Sequence, residues 1–335
     1  MLTFEFWCIS NMKKVLTALI FSLLCLSSHA QLSDYKITVL ATNISNYGGF
    51  GEWSFGALYE GNKESILFDT GFDENTVLHN AQLLGKDLSK VEKVVLSHFH
   101  SDHTGGLIKL RKTFQSINAQ AFSQVYVAKG FFSQRYMASV KPIENGKVGP
   151  GSFKEAQEFK SAAENLGIQF MVVNSPTQIA KNLFVTGPVP RKHEKYNGPK
   201  GLVIKSSEDS SWIPDIILDD QSVGMMTQNG WVMMSGCGHS GLMNTTDVLQ
   251  GIANEPIYVA VGGFHLWQAQ DSIVDETAQW LQDKGMKKFM GGHCTGIRAA
   301  TRIAEIIGIE RDNLSHTAIG SVLTEDLEII RSSVE

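Results

Sequence analysis

The sequence predicts a layered α/β fold with its chemistry gathered along one edge, and two observations predict it. Apolar, strand-like runs alternate with helix-spaced segments along much of the chain. Five of those runs end in turns that combine glycine with a donor side chain: Asp69, the cluster beginning at His98, His239, His265 and His293. Sites in layered α/β folds form at the carboxyl ends of strands, and glycine there lets backbone approach a ligand closely.

In chain order, residues 35–41 alternate and read as a strand, and residues 46–51 form a glycine-rich turn. Residues 53–59 and 64–68 read as a hairpin whose second arm runs into Asp69-Thr70-Gly71. Helical spacing covers residues 76–85. A strand at 91–97 feeds the histidine cluster, and a helix follows at 105–114. Within a single domain spanning 31–335, residues 119–211 read as a loop-rich insertion. It holds strands at 125–128 and 170–173, a helix at 152–165, loops at 141–151 and 186–201, and a polar, mobile stretch at 206–212. The last third regains a steady rhythm. Strands at 231–235, 257–261 and 287–290 end in Gly236-Cys237-Gly238-His239, Gly262-Gly263-Phe264-His265 and Gly291-Gly292-His293-Cys294. Helices are expected at 275–284 and 296–307, with a strand-like end at 317–323.

The composition is that of a globular protein, 43% hydrophobic and 19% charged, with a formal net charge of −5. That charge supplies no reason to expect nucleic-acid binding, so the expected partner is a small-molecule substrate. Residues 1–30 read as an upstream extension followed by a cleaved signal peptide. Lys13 and Lys14 precede an apolar run at 15–26, and Ser28-His29-Ala30 offers small residues for cleavage. The run is short for a membrane span, and Leu24 before Cys25 does not suit lipid attachment. A secreted or periplasmic protein without stable membrane insertion is therefore expected. Beyond the leader only Cys237 and Cys294 remain, each near a histidine, which is no disulfide scaffold.

His98-Phe99-His100-Ser101-Asp102-His103 packs three imidazoles and a carboxylate into six residues behind the run Val94-Val95-Leu96. Imidazole nitrogen and carboxylate oxygen suit zinc and neighbouring transition metals. His98 and His100, two apart on extended chain, can share one metal. Asp102 and His103, on the turn, could serve a second. The remaining donors must come from elsewhere, and His239, His265 and His293 are available.

His98-Phe99-His100-Ser101-Asp102-His103-Thr104-Gly105-Gly106 resembles the signature of the metallo-β-lactamase superfamily, and Ile66-Leu67-Phe68-Asp69-Thr70-Gly71 resembles its first motif. The resemblance spans residues 37 to about 321. It implies a four-layer αββα sandwich with a dinuclear site at the sandwich edge. It also implies that Asp69 supports the site without binding metal and that His293 is the last ligand. The motifs around Cys237, His265 and His293 resemble a branch of metal-dependent hydrolases that includes an archaeal dihydropterin–ribofuranosylaminobenzene phosphate synthase.

The implied function is a metal-dependent hydrolase in which a zinc-bound hydroxide attacks an ester, lactone or phosphoester. Two Zn2+ are expected, with Mn2+ or Fe2+ as alternatives. The metal ligands are His98, His100, Asp102, His103, His239 and His293. Asp102 also orients the nucleophile, and His265 protonates the leaving group. Other readings are a metal-dependent transferase like the archaeal synthase and a binding protein that keeps the fold without turnover. β-Lactamase activity itself is disfavoured by the branch motifs. A redox diiron enzyme is disfavoured too, because such proteins resemble this motif with Glu where His100 stands.

The sequence departs from the superfamily pattern at one place: Cys237 stands where a bridging Asp is expected, with His239 two residues on. Cys237 reads either as a thiolate ligand or as a buried thiol beside the site, and Asp220 either as a ligand or as a solvated loop carboxylate. His265 could also be a ligand or structural. His193, near Arg191 and Lys192, could touch an anionic substrate or lie in a solvated loop, and His79 and His316 have no partner motif. Trp53, Phe55 and Trp267 either line the mouth or pack as core and rim.

Overall fold

Strand pairing brings the donor-bearing turns to one edge. The computed structural model describes residues 35–137, 153–194, 201–205 and 211–335. The expected leader at 1–30, the whole loop at 141–151, Tyr196-Asn197-Gly198 and residues 206–210 lie outside the described residues. Strands run in chain order as β1 (Lys36–Ala41), β2 (Gly56–Gly61), β3 (Glu64–Phe68), β4 (Val91–Val95), β5 (Gln124–Ala128), β6 (Arg135–Met137), β7 (Gln169–Val173), β8 (Thr177–Ala180) and β9 (Leu183–Val185). They continue as β10 (Leu202–Lys205), β11 (Trp212–Pro214), β12 (Ser222–Thr227), β13 (Gly230–Ser235), β14 (Ile257–Gly262), β15 (Lys288–Gly291), β16 (Leu314–Ser315), β17 (Val322–Thr324) and β18 (Ile329–Ile330). The described α-helices are α1 (Thr76–Leu83), α2 (Ser101–Thr104), α3 (Leu107–Phe114), α4 (Phe153–Glu164), α5 (Leu242–Ile252), α6 (Asp271–Asp283) and α7 (Ile297–Ile307).

An eight-stranded sheet has the order β18-β17-β1-β2-β3-β4-β5-β7, and a seven-stranded sheet the order β16-β15-β14-β13-β12-β9-β8. Alternation along the strands builds three apolar layers. Val232 and Met234 on β13, and Val259 and Val261 on β14, meet Phe68 and Val95 of the other sheet in the central core. Their neighbours Met233 and Ala260 face outward against Val274 and Ala278 of α6 and Ile303 of α7. On the far side, Leu67 and Val94 pack against Val77 of α1, Leu110 of α3 and Ala156 of α4. The result is the expected αββα sandwich.

β3 and β4 are parallel, as are β13, β14 and β15. The turns after them therefore leave from one edge of each sheet, and a hydrogen bond from Gln221 N to Ser97 O (2.9 Å) ties the two edges together. Gly236 shows how close they come: a Cβ there would lie 2.2 Å from Asp69 Oδ2 and 2.3 Å from Ser97 Oγ.

Segment 119–211 differs from the expected loop-rich insertion. β5 and β7 extend the first sheet, β8 and β9 extend the second, and β6 and β10 join β11 in a separate three-stranded sheet. Its strands are short and partly exposed, which weakens the periodicity from which strands are read. Trp212, expected within a mobile stretch, starts β11, and the strand-like end is confined to Val322–Thr324. Helix α5 and strand β12 were not anticipated either. β12 is buried along most of its length, leaving little polar alternation to read.

Candidate metal centre

Leu96 continues the β4 pairing through a hydrogen bond to Tyr126 O, and the chain then bends at His98 and Phe99, where His100 N–H donates to His98 O at 3.1 Å, before α2 begins at Ser101. This three-residue turn centred on Phe99, tighter than the extended segment expected, folds the two histidines back on each other. His98 Nε2 and His100 Nδ1 accordingly lie 2.9 Å apart. The single turn of α2 then swings Asp102 and His103 towards the second sheet. His103 Nδ1 meets Asp69 Oδ2 at 2.7 Å, which leaves Nε2 aimed at Cys237 Sγ, 3.2 Å away, and at Asp102 Oδ2, 3.4 Å away.

The second sheet closes the site. Cys237 follows β13, and its Sγ is 3.2 Å from His293 Nε2; His293 follows β15, with Nε2 3.5 Å from Asp102 Oδ2. Asp102, His103, Cys237 and His293 thus form one four-donor group, and His98, Cys237 and His239 a second, with donor atoms within 4.8 Å of one another in each. The ring of His100 is 4.4 Å from that of His98 and 5.4 Å from that of His239. A tetrahedral site with bonds of about 2.0–2.3 Å has donor–donor edges of about 3.3–3.8 Å. The contacts of the first group match that spacing closely, so these residues fit a divalent cation. A third group joins Cys237, His265 and Cys294.

Electrostatics point the same way. Burial pushes the His98 and His239 imidazoles far below their ordinary range and His100 down to about 4, leaving neutral rings with lone pairs to donate. Burial acts on His103 in the same direction, but the carboxylates of Asp102 and Asp69 outweigh it and raise the ring well above its usual value. Asp102 is held well below the carboxylate range: burial opposes this, and His103 and His293 overcome it. Burial raises the Cys237 thiol. Asp69 on Nδ1 and Asp102 beside Nε2 therefore make the His103 ring a place where positive charge is stabilised.

Asp69 is fully buried, belongs to none of the three donor groups, and hydrogen-bonds His103. Its Oδ1 accepts from Ser97 N and its Oδ2 from Ser97 Oγ and His103, each at 2.7 Å. Its backbone, with φ of 54°, and those of His265 (49°) and His293 (46°) occupy the left-handed region, sparsely used by residues other than glycine and often found at functional sites. Asp69→Asn removes one acceptor oxygen and loosens the His103 ring. Metal affinity is expected to fall about 10–100-fold, read by competition with a chromogenic chelator. Unchanged affinity would refute the supporting role.

Asp220 is buried rather than solvated. Oδ2 accepts from Ser240 N at 2.8 Å, Oδ1 has no hydrogen-bond partner, and burial raises the carboxyl to about 6. It belongs to none of the three donor groups. His265, partly exposed, has its ring 4.5 Å from that of His239 and its N–H 3.3 Å from Cys294 Sγ. His193 pairs with Asp247 at 2.9 Å, and His79 bonds Gly48 O while stacking on Phe50; neither joins the donor groups. Phe55 is core. Trp53 and Trp267 are half-exposed at the rim, with the Trp53 ring 5.1 Å from His293 and 5.3 Å from Trp267.

Sequence reasoning missed the support behind the histidine loop. Arg135, fully buried, bonds Asp215 Oδ2 at 2.7 Å and also Asp219. Asp219 Oδ2 in turn accepts from Phe99 N at 2.9 Å, between His98 and His100. The Asp219-Asp220 pair was a visible signal, but nothing local marks Arg135 as its partner.

Fold and site together define a metallo-β-lactamase-fold protein, and residues 55–117 match the family model of the metallo-β-lactamase superfamily. This fold generally binds divalent metals such as zinc. Over 284 residues the chain is 26% identical to 7,8-dihydropterin-6-methyl-4-(β-D-ribofuranosyl)-aminobenzene-5'-phosphate synthase of Methanocaldococcus jannaschii, covering 82% of this chain and 92% of the relative. An uncharacterized protein of the same archaeon is 26% identical over 287 residues, covering 86% and 99%. Among solved structures, a metal-dependent hydrolase of the β-lactamase superfamily superposes with a TM-score of 0.66 at 25% identity, covering 86% of this chain and 98% of that one.

Proposed function

We propose that the protein is a metal-dependent hydrolase acting on an ester, lactone or phosphoester. The observation that carries this reading is Cys237, whose Sγ belongs to both the Asp102–His103–His293 group and the His98–His239 group. Cys237 would be shared by both sites, at the position where the superfamily pattern has Asp. His98, His100 and His239 with Cys237 would hold one cation, and Asp102, His103 and His293 with Cys237 the other. Zn2+ suits nitrogen and thiolate donors best, with Fe2+ or Mn2+ as alternatives. Bound there, such ions lower the pKa of water and polarise an electrophilic carbonyl or phosphoryl group.

The chain's own residues do the rest. Asp102 sits between His103 and His293, where its carboxylate can orient a nucleophile. His265 lies on the rim of a cavity of about 110 Å³ shared with His239, Leu242, Phe264 and Ile273. From there its ring can deliver a proton to a departing oxygen while the apolar wall excludes water. Metal analysis of wild type, His100→Ala and Asp102→Ala, with assays on phosphodiester, lactone and β-lactam substrates, tests the proposal. Wild type should hold two metals per chain, and both variants should lose at least about a hundredfold in rate. Wild type without stoichiometric metal, and inactive after zinc or manganese addition, would refute it.

The similarity to the archaeal synthase supports a second reading, a transferase that handles a phosphorylated substrate at the same centre. Transfer to an acceptor other than water would identify it. We also propose export, on the strength of the leader pattern at 1–30. N-terminal sequencing of the protein from a periplasmic fraction should find residue 31 first, and retention of residues 1–30 would refute cleavage.

A further inference from the structure

A second cavity lies on the same edge as the candidate metal centre and is roofed by the three-stranded sheet. Its volume is about 610 Å³, and its lining includes Lys129, Arg191, Lys205, Ile213, Leu218 and Asp219. That is within the range of small-molecule sites, about 300–1,000 Å³. Its position follows from topology. Lys129 comes directly after β5, and β5 pairs in parallel with β4, whose end carries His98. Lys129 and the histidine loop are thus neighbouring turns of one sheet edge. Asp219 makes the connection physical: it lines the cavity and also accepts the Phe99 N–H between His98 and His100.

The lining is amphipathic, with one sign of charge left over. The Asp219 carboxylate is engaged by Arg135 and Phe99. Arg191 donates only to the carbonyl oxygens of Val189, Ile216 and Ile217, and its buried Nε has no hydrogen-bond partner. Among the described residues, no carboxylate lies within ion-pair distance of Lys129, Arg191 or Lys205. Beside these cations, Ile213 and Leu218 remain 38% and 43% exposed. Exposed large apolar side chains next to unpaired cations match a ligand with an apolar body and an anionic head.

We propose that this cavity binds the anionic, apolar-tailed portion of the substrate, positioning the scissile group at the adjacent metal centre. The proposal rests on the reading of that centre as the active site. It gives the substrate class as an amphipathic acid: an alkyl or aryl chain bearing a sulfate, carboxylate or phosphate. Lys129 and Lys205 attract the head, Arg191 stabilises it from the wall, and Ile213 and Leu218 cover the tail.

The test is calorimetric titration of the full chain, carrying its metals, with octyl sulfate (a weak metal ligand) and with octanol. Octyl sulfate should bind one per chain and more tightly than octanol. The exposed pair Lys129→Ala/Lys205→Ala should weaken octyl sulfate about tenfold and leave octanol unchanged, and Leu218→Asp should weaken both. Equal octyl sulfate binding by wild type and the lysine double variant overturns the proposal. His100→Ala and metal content keep the two readings apart. Binding that survives in His100→Ala but falls in the lysine variant supports the cavity. Binding lost in His100→Ala but kept in the lysine variant places the anion at the metals and refutes the cavity alone. Cavity binding by wild type that holds no metal supports the cavity and refutes only the metal centre.

Discussion

Cys237→Ala is expected to lower metal content from two per chain to below one and to reduce turnover at least about a hundredfold. The side chain is small and buried, so alanine fits its space without rearranging β13. What it removes is the one donor atom common to the Asp102–His103–His293 group and the His98–His239 group. Those two groups then keep only imidazoles, plus Asp102 in one of them, and no shared donor links them. Cobalt substitution supplies a readout independent of catalysis: the sulfur-to-metal charge-transfer band of wild type should vanish in Cys237→Ala. Cys237→Asp should restore metal content without restoring the band, because a carboxylate can take a bridging place. Two metals per chain in Cys237→Ala would refute the bridging role.

Arg135→Ala is expected to cost about 3–5 kcal/mol of stability, measured by equilibrium urea unfolding. The guanidinium is the cation of a buried trio with Asp215 and Asp219, and all three are almost entirely excluded from solvent. Removing it strands two carboxylates in a place where burial already raises the Asp219 pKa. Replacing the whole trio, as Arg135→Met with Asp215→Asn and Asp219→Asn, should cost less than the single change, because the charges and their desolvation disappear together. Metal affinity should fall with Arg135→Ala as well, since Asp219 holds Phe99 between two candidate ligands. A loss under about 1 kcal/mol would show that the trio does not support the loop.

Much of this could be read along the chain, for a physical reason. His98, His100, Asp102 and His103 lie within six residues, so one tight turn at Phe99 followed by one helical turn is enough to group them. The strands that feed the donor turns are four to six residues long and mostly buried, and each runs into a glycine-and-donor motif that marks its end. β6, β8, β9, β10 and β11 were not legible, because strands of three or four residues, several half-exposed, carry little alternation. Asp220 read either as a ligand or as a solvated loop carboxylate, and its burial, with Ser240 N–H donating to it from twenty residues away, is a tertiary feature.

The sequence by itself determined the donor types, the turns that carry them and the strands that bear those turns, since each is a matter of neighbouring residues. Only the tertiary structure decided how donors far apart are shared. It put Cys237 within 3.2 Å of both His103 and His293, grouped His239 with His98, and set Arg135 behind the loop through Asp219. Those contacts come from the parallel register of β13, β14 and β15 and from two sheets packed face to face, and no local pattern encodes the distance between two sheets.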